Sequence, residues 1–213
     1  MNHVKEAHVP ILSASLGITR YRVVNDIPDA LWREVPKRLQ DNAFKDIDAT
    51  TDERSFGWCN LDNMLDMEWA DSPPEKGHYM CFSLRLDTRR IPPAVFKKHC
   101  LIALSQELAV AKSEGKAFIS KDRRREIKDQ VMLRLRARSL PVPAVFDAVW
   151  NMQTGRVLFV STNAKAKALF EDHFNLTFGL NLEPLTPFFL AASMLGGDAA
   201  IARLEALEPS TFV

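Results

Sequence analysis

The most regular alternation of apolar and polar residues in the chain runs from His78 to Arg90. Every second residue there is apolar, which is the period of a β-strand with one buried face. The predicted inward positions are Met80, Phe82, Leu84 and Leu86. We therefore predict a strand that contributes one face to the core.

Shorter strands are predicted elsewhere. Residues 10–24 are rich in β-branched residues, and 55–58 suit a short strand or turn. Residues 144–150 and 156–161 are joined by five residues that end in glycine, a connection typical of a β-hairpin. One more strand is expected within 176–182.

The first predicted helix follows residue 24. Leu31, Val35 and Leu39 are spaced by four, as on one face of a helix. Asp26 is placed to cap its amino terminus. Pro36 is expected to kink or split this helix, because proline removes a backbone donor and crowds the preceding turn.

Four later segments also have helical periodicity. A helix is predicted from Pro92 to about Ala111, with a buried stripe of Val95, Cys100 or Ile102, and residues 104–108. Ser120 is a plausible cap for a helix over 120–140, whose residues Ile127, Val131 and Leu135 are again spaced by four. A helix over 161–174 buries Ala166, Phe170 and Phe174. A last helical stretch follows Pro187 and is interrupted at Gly196 and Gly197.

The run from Asn60 to Pro74 has no firm period, so we expect an irregular connection with at most one helical turn. Small groups of strands with helices between them predict an α+β fold, in which a mixed, mainly antiparallel sheet packs against helices. We expect residues 1–213 to form one unit, or two lobes that divide near 112–140.

Composition narrows the class of protein. The 213 residues are 46% hydrophobic and 26% charged, as in ordinary globular proteins. No apolar run approaches the roughly 20 residues of a membrane span, so we expect a cytoplasmic protein. Cys59, Cys81 and Cys100 form no CxxC pair, which predicts reduced, packed thiols.

Basic residues are concentrated in one segment of the chain. Ten basic residues lie between residues 111 and 139 against four acidic ones, in a chain whose net charge is only +1. The basic residues are Lys112, Lys116, Lys121, Arg123, Arg124, Arg125, Lys128, Arg134, Arg136 and Arg138. Such a concentration indicates either a polyanion-binding face or a solvated helix surface.

Several motifs in the same order resemble the bacterial recombination-associated protein RdgC family. They are Phe56-Gly57-Trp58, the strand into Ile91-Pro92-Pro93 with its following helix, the segment from Arg124 to Val131, residues 133–138, Trp150-Asn151, the strand from Gly155 to Val160, and residues 161–168. The similarity extends over about residues 17–184 and covers the family's amino-terminal two thirds.

The resemblance implies an RdgC-like fold and a homodimer that binds DNA, with duplex DNA the expected form, without sequence preference. It also implies restraint of a RecA-type recombinase and a nucleoid-associated location. The expected DNA-binding residues are Lys121, Arg123, Arg124, Arg125, Lys128, Arg134, Arg136 and Arg138, flanked by Arg85, Arg89 and Arg90. We expect no catalytic residue, metal or cofactor.

Two other functions remain open at this stage. Asp62, Asp66, Glu68 and Asp71 lie close in sequence, as the carboxylates of a metal-dependent nuclease do. The same acidic run could instead be the contact surface of a protein-interaction module that does not bind DNA.

Other residues have competing interpretations. His78 with Cys81 and His99 with Cys100 could bind zinc, but residues three apart on a strand, or adjacent on a helix, point in different directions. The tryptophans Trp32, Trp58, Trp69 and Trp150 could stack on bases, although core positions are the commoner role. The apolar Phe188-Phe189-Leu190 suits a subunit contact or burial against the sheet.

Overall fold

The computed structural model describes residues 10–13, 15–115, 118–195 and 197–207. Its strands are β1 (Thr19–Val23), β2 (Arg54–Cys59), β3 (Glu75–Lys76), β4 (Tyr79–Thr88), β5 (Val142–Asn151), β6 (Arg156–Phe159) and β7 (Leu182–Pro184). Its helices are α1 (Asp29–Asp41), α2 (Pro93–Ser113), α3 (Lys121–Arg136), α4 (Ala164–Phe178), α5 (Pro187–Leu195) and α6 (Asp198–Glu205). Among these helices, none is long and apolar enough to cross a bilayer.

The strands form an antiparallel sheet in the order β2-β4-β5-β6-β1-β7, with β3 paired to β4. About 43% of the residues are helical and 21% are in strands. This confirms the predicted α+β class. The hairpin is confirmed as well, since Trp150 lies opposite Val157 and the turn contains Gly155 at φ +63°.

The chain divides into two compact units. Unit 1 comprises residues 1–43, 57–84 and 145–213, and unit 2 comprises 44–56 and 85–144. The division falls within β2, β4 and β5. Residues 112–140, where two lobes were expected to separate, lie inside unit 2.

The core of unit 1 is aromatic. Phe170 of α4 stacks on Phe159 of β6 with ring centroids 4.1 Å apart. Trp58 is fully buried, and its indole N–H donates to Thr177 at 2.8 Å. Such rings bury large apolar areas and exclude water from both faces of their neighbours.

Helix α1 buries Leu31, Val35 and Leu39 as predicted. One detail of the prediction was wrong, and one of the two effects expected of Pro36 is excluded. Asp26 does not cap the helix, because Pro28 occupies the N-cap position and no side chain caps the first turn. Pro36 does not split the helix, which runs without interruption from Asp29 to Asp41.

Helix α4 extends past its predicted end. Asn163 caps it by accepting the backbone N–H groups of Lys165 and Ala166, and Gly179 ends it in the left-handed conformation. Because α4 runs to Phe178, the strand expected within 176–182 is confined to β7, which begins at Leu182. The predicted strand at 10–24 is likewise shorter, beginning at Thr19 after a 3-10 turn at Pro10–Leu12.

The core of unit 2 is formed where α2 and α3 pack together. Ile127, Val131 and Leu135 of α3 pack with Cys100 of α2, and all four are buried. The predicted stripe of α2 was only partly right, because Val95 and Ile102 are 39% and 44% exposed. The true inward side of α2 contains Phe96, Cys100, Ala103 and Leu104.

Near the carboxyl end, α5 and α6 are separate helices, in agreement with the predicted interruption. Gly197 lies between them at φ +88°, whereas Gly196 is outside the described residues. Phe188 and Leu190 of α5 are each 39% exposed.

Candidate nucleic-acid interface

Helix α3 presents its charges from a fixed position. The hydroxyl of Ser120 caps the helix by accepting the backbone N–H of Arg123 at 3.2 Å, and Asp122 lies in the first turn. The side facing α2 is buried. The sequence prediction of a capped, packed helix is therefore confirmed, and its cations are not on a disordered arm.

Four cations lie on one side of α3. Lys121, Arg124, Arg125 and Lys128 are separated by three or four residues, a spacing that places side chains on one helical face. We call these four residues the cationic face. All four are exposed, and none has an ion pair with a carboxylate among the described residues.

The acidic residues of α3 form a different stripe. Asp122, Glu126 and Asp129 are also spaced by three or four, so they follow one another along the helix surface. Seven basic and three acidic side chains thus share one helix without being evenly mixed. This segregation leaves a positive potential at the cationic face.

Two of the predicted DNA-binding arginines form ion pairs within unit 2. Arg123 donates from Nε to Glu107 at 2.7 Å and from Nη1 to Glu126 at 3.0 Å. These hydrogen bonds raise the pKa of Arg123 above its ordinary value. Arg136 similarly donates to Glu53. Because both guanidinium groups already have carboxylate partners, they are weaker candidates for phosphate than the cationic face.

The prediction that Arg85 and Arg89 bind DNA was wrong, because both side chains are buried. They are 6% and 4% exposed, so neither side chain lies on the surface. Arg85 binds Asp87, and Arg89 donates to backbone carbonyls of Arg136 and Asp48 at 2.8 and 3.1 Å. The strand alternation suggested an outward face, but both faces of β4 are largely buried.

The remaining predicted cations are dispersed. Arg90, Arg134 and Arg138 are exposed but do not share the spacing of the cationic face. Arg134 lies on the side of α3 that borders Gln106 of α2. Lys116 is outside the described residues.

The acidic run of unit 1 is internally bonded. Burial alone would raise the pKa of Asp66, but N–H groups of Asp71, Asn60, Ala70 and Glu68 donate to its carboxylate and hold the pKa below its usual range. Asp62 bonds Ser72 at 2.8 Å and also pairs with Lys76, which lowers its pKa. These carboxylates stabilise their own loop, which is irregular as predicted.

Other predicted sites are buried or lack partners for a metal. Trp58, Trp69 and Trp150 are buried and Trp32 packs partly against the core, so base stacking is not their role in this structure. The three cysteines are free thiols in buried positions. Within the described ranges, no group of three or more His, Cys, Asp or Glu residues could hold a metal ion.

Comparison with known proteins adds no assignment. No protein-family model matches the chain, and a search of curated proteins gives no match.

Proposed function

We propose that this protein binds DNA without sequence preference, through the cationic face of α3. The observation that carries the proposal is the clustering of Lys121, Arg124, Arg125 and Lys128 on one exposed side of a capped helix. Phosphates are bound by Lys and Arg through charge neutralisation and counterion release, which demands no particular base sequence.

The repulsion between the four cations lowers the stability of α3, which supports a functional role for them. Lys128 has arginine at both its third and fourth preceding positions, and like charges at these spacings destabilise a helix by a few tenths of a kcal/mol each. Lys121 likewise has arginine at its third and fourth following positions, Arg124 and Arg125. A polyanion bound to this face would attract all four cations and so offset the repulsion between them.

The biological role is inferred from the resemblance to the RdgC family. By occupying DNA, the protein would limit access of a RecA-type recombinase, and it would act as a homodimer. No step of this role requires catalysis, a metal or a cofactor.

A pair of matched double variants tests DNA binding. Lys121→Gln with Arg125→Gln removes two exposed charges spaced by four from α3. Arg33→Gln with Lys37→Gln removes two exposed charges at the same spacing from α1. Binding to several unrelated duplexes and single strands is measured by fluorescence anisotropy over a range of salt concentrations.

We expect the α3 variant to bind DNA more weakly than wild type. Among duplexes, and separately among single strands, the loss of affinity should be about the same for every sequence. The slope of log K against log salt should become shallower by about 2 for duplex DNA, since each lost phosphate contact contributes about 0.9. The α1 variant should bind like wild type. Absence of DNA affinity at low salt, or equal losses in both variants, contradicts the proposal.

A further inference from the structure

A cavity of about 680 Å³ lies in unit 2 beside the first turn of α3. Its described lining includes Glu107, Val110, Ala111, Glu114, Phe118 and Arg123, contributed by the carboxyl-terminal half of α2, by the residues after it and by α3. The volume is within the range of small-molecule sites and exceeds that of a single planar heterocycle.

The apolar part of the lining is suited to a flat ring. Val110 and Ala111 form adjoining wall positions on α2, and Phe118 lies at the cavity with 73% of its surface exposed. A phenyl ring in water is a preferred surface for stacking by nucleobases, because every base offers a π-face of similar size.

The polar part of the lining offers acceptors and a second planar group. The carboxylates of Glu107 and Glu114 are hydrogen-bond acceptors in the cavity wall, and that of Glu107 already accepts from Arg123. The guanidinium of Arg123 is held by Glu107 and Glu126, so its orientation is fixed before any ligand arrives. Arginine planes stack on unpaired bases much as aromatic rings do.

The position of the cavity links it to the cationic face. Phe118 precedes Lys121 by three residues, so their Cα atoms lie within about 11 Å of each other. A strand with a phosphate on Lys121 therefore has a base within reach of Phe118. In a duplex that base is paired and stacked, so only an unpaired base could enter.

We propose that this cavity takes one unpaired nucleobase of a single-stranded DNA segment, stacked on Phe118. The proposal rests on the proposed function, since the cationic face must hold the phosphates. It goes beyond that function because it assigns a contact to the base, which duplex binding does not use.

The test compares two single-stranded oligonucleotides with the same phosphates. One has a mixed sequence, and the other has abasic sites at several internal positions. Each is titrated into the wild type, into Phe118→Ala, and into Leu133→Ala, which truncates a 55% exposed residue on the acidic side of α3. Circular dichroism verifies that each variant is folded, and a fully paired duplex is measured alongside.

Wild type and Leu133→Ala are expected to bind the intact oligonucleotide at least about fivefold more tightly than the abasic one, the effect of one stacked base. Phe118→Ala should lose this preference while duplex affinity is unchanged. Equal affinity of wild type for both oligonucleotides, or an equal loss for both in Phe118→Ala, overturns the base site and leaves the proposed function intact. Absence of binding to any DNA by wild type overturns both.

Discussion

Arg85 and Asp87 form a buried, doubly hydrogen-bonded ion pair on β4. Nε of Arg85 donates to Oδ1 of Asp87 at 2.9 Å and Nη2 donates to Oδ2 at 2.8 Å. Residues two apart on a strand point to the same face, which lets the pair form within one strand. The guanidinium also lies 4.1 Å from the ring centroid of Phe44, a cation–π arrangement.

Asp87→Ala is expected to lower the free energy of unfolding by about 3 kcal/mol or more, because it removes the carboxylate that accepts two hydrogen bonds from a buried guanidinium. Urea denaturation measures the loss. Glu34→Ala is the control, since it breaks the exposed Glu34–Arg38 pair of the same 2.8 Å length and should cost under about 1 kcal/mol. Similar losses in the two variants contradict this account of Arg85.

Lys128→Glu should separate stability from DNA binding. The new carboxylate would attract Arg124 and Arg125 instead of repelling them, raising the free energy of unfolding by roughly 0.5 kcal/mol. DNA affinity should fall, because the cationic face loses one charge and gains an opposite one. The measurements are urea denaturation and anisotropy titration of the same samples. A fall in both quantities indicates that Lys128 has a structural role.

Ser120→Ala should destabilise α3. Its hydroxyl accepts the backbone N–H of Arg123, and loss of such a cap costs about 1 kcal/mol. Ser120→Asp should retain most of that stability, since a carboxylate also caps and complements the helix dipole. Ser113→Ala serves as the comparison, because Ser113 donates only to the carbonyl of Val110 near the end of α2. Hydrogen exchange of the first turn of α3 reports the effect.

Asp147 is expected to make the stability of the protein depend on pH. Burial raises the pKa of its carboxyl, and hydrogen bonds from Ser83 and the backbone N–H of Ile11 offset only part of that rise. The folded state therefore binds this proton more tightly than the unfolded state. The contribution of Asp147 to stability is greatest below its ordinary pKa of about 3.9 and declines as pH rises through the raised folded value.

Asp147→Asn should remove this contribution to the pH dependence. The amide can still accept from Ile11 and donate to Ser83, but it has no charge to desolvate. The difference in unfolding free energy between Asp147→Asn and wild type should increasingly favour the variant as pH rises above about 4. A difference that does not vary with pH would contradict a raised pKa for Asp147 in the folded state.

Local patterns were sufficient to predict the buried faces of α1, α3 and α4 and the fold class. Ile127, Val131 and Leu135 share a face whatever the helix packs against, so their spacing identified the buried side of α3. Helix α2 was harder because apolar residues occur all around it. Val95 and Ile102 match a helical stripe as well as Phe96 and Ala103 do, and only the position of α3 determines which stripe is buried.

The candidate site was predicted only in part for a related reason. Sequence gives the number of cations in a segment but not the location of their partners. Glu107 precedes Arg123 by sixteen residues and Glu53 precedes Arg136 by 83, so neither ion pair has a local signal. The burial of Arg89 depends on carbonyls of residues 47, 48, 136 and 139. The cavity beside Phe118 likewise requires two helices to be placed together.

The contacts of Arg89 have a consequence for the kinetics of the proposed DNA association. Its guanidinium joins carbonyls at the end of α3 to the backbone at Ile47 and Asp48, so α3 is held before any DNA arrives. Association then needs no slow folding step, and long-range attraction between the cationic face and phosphates can set the encounter rate. Dissociation would instead depend on how many phosphates must detach together.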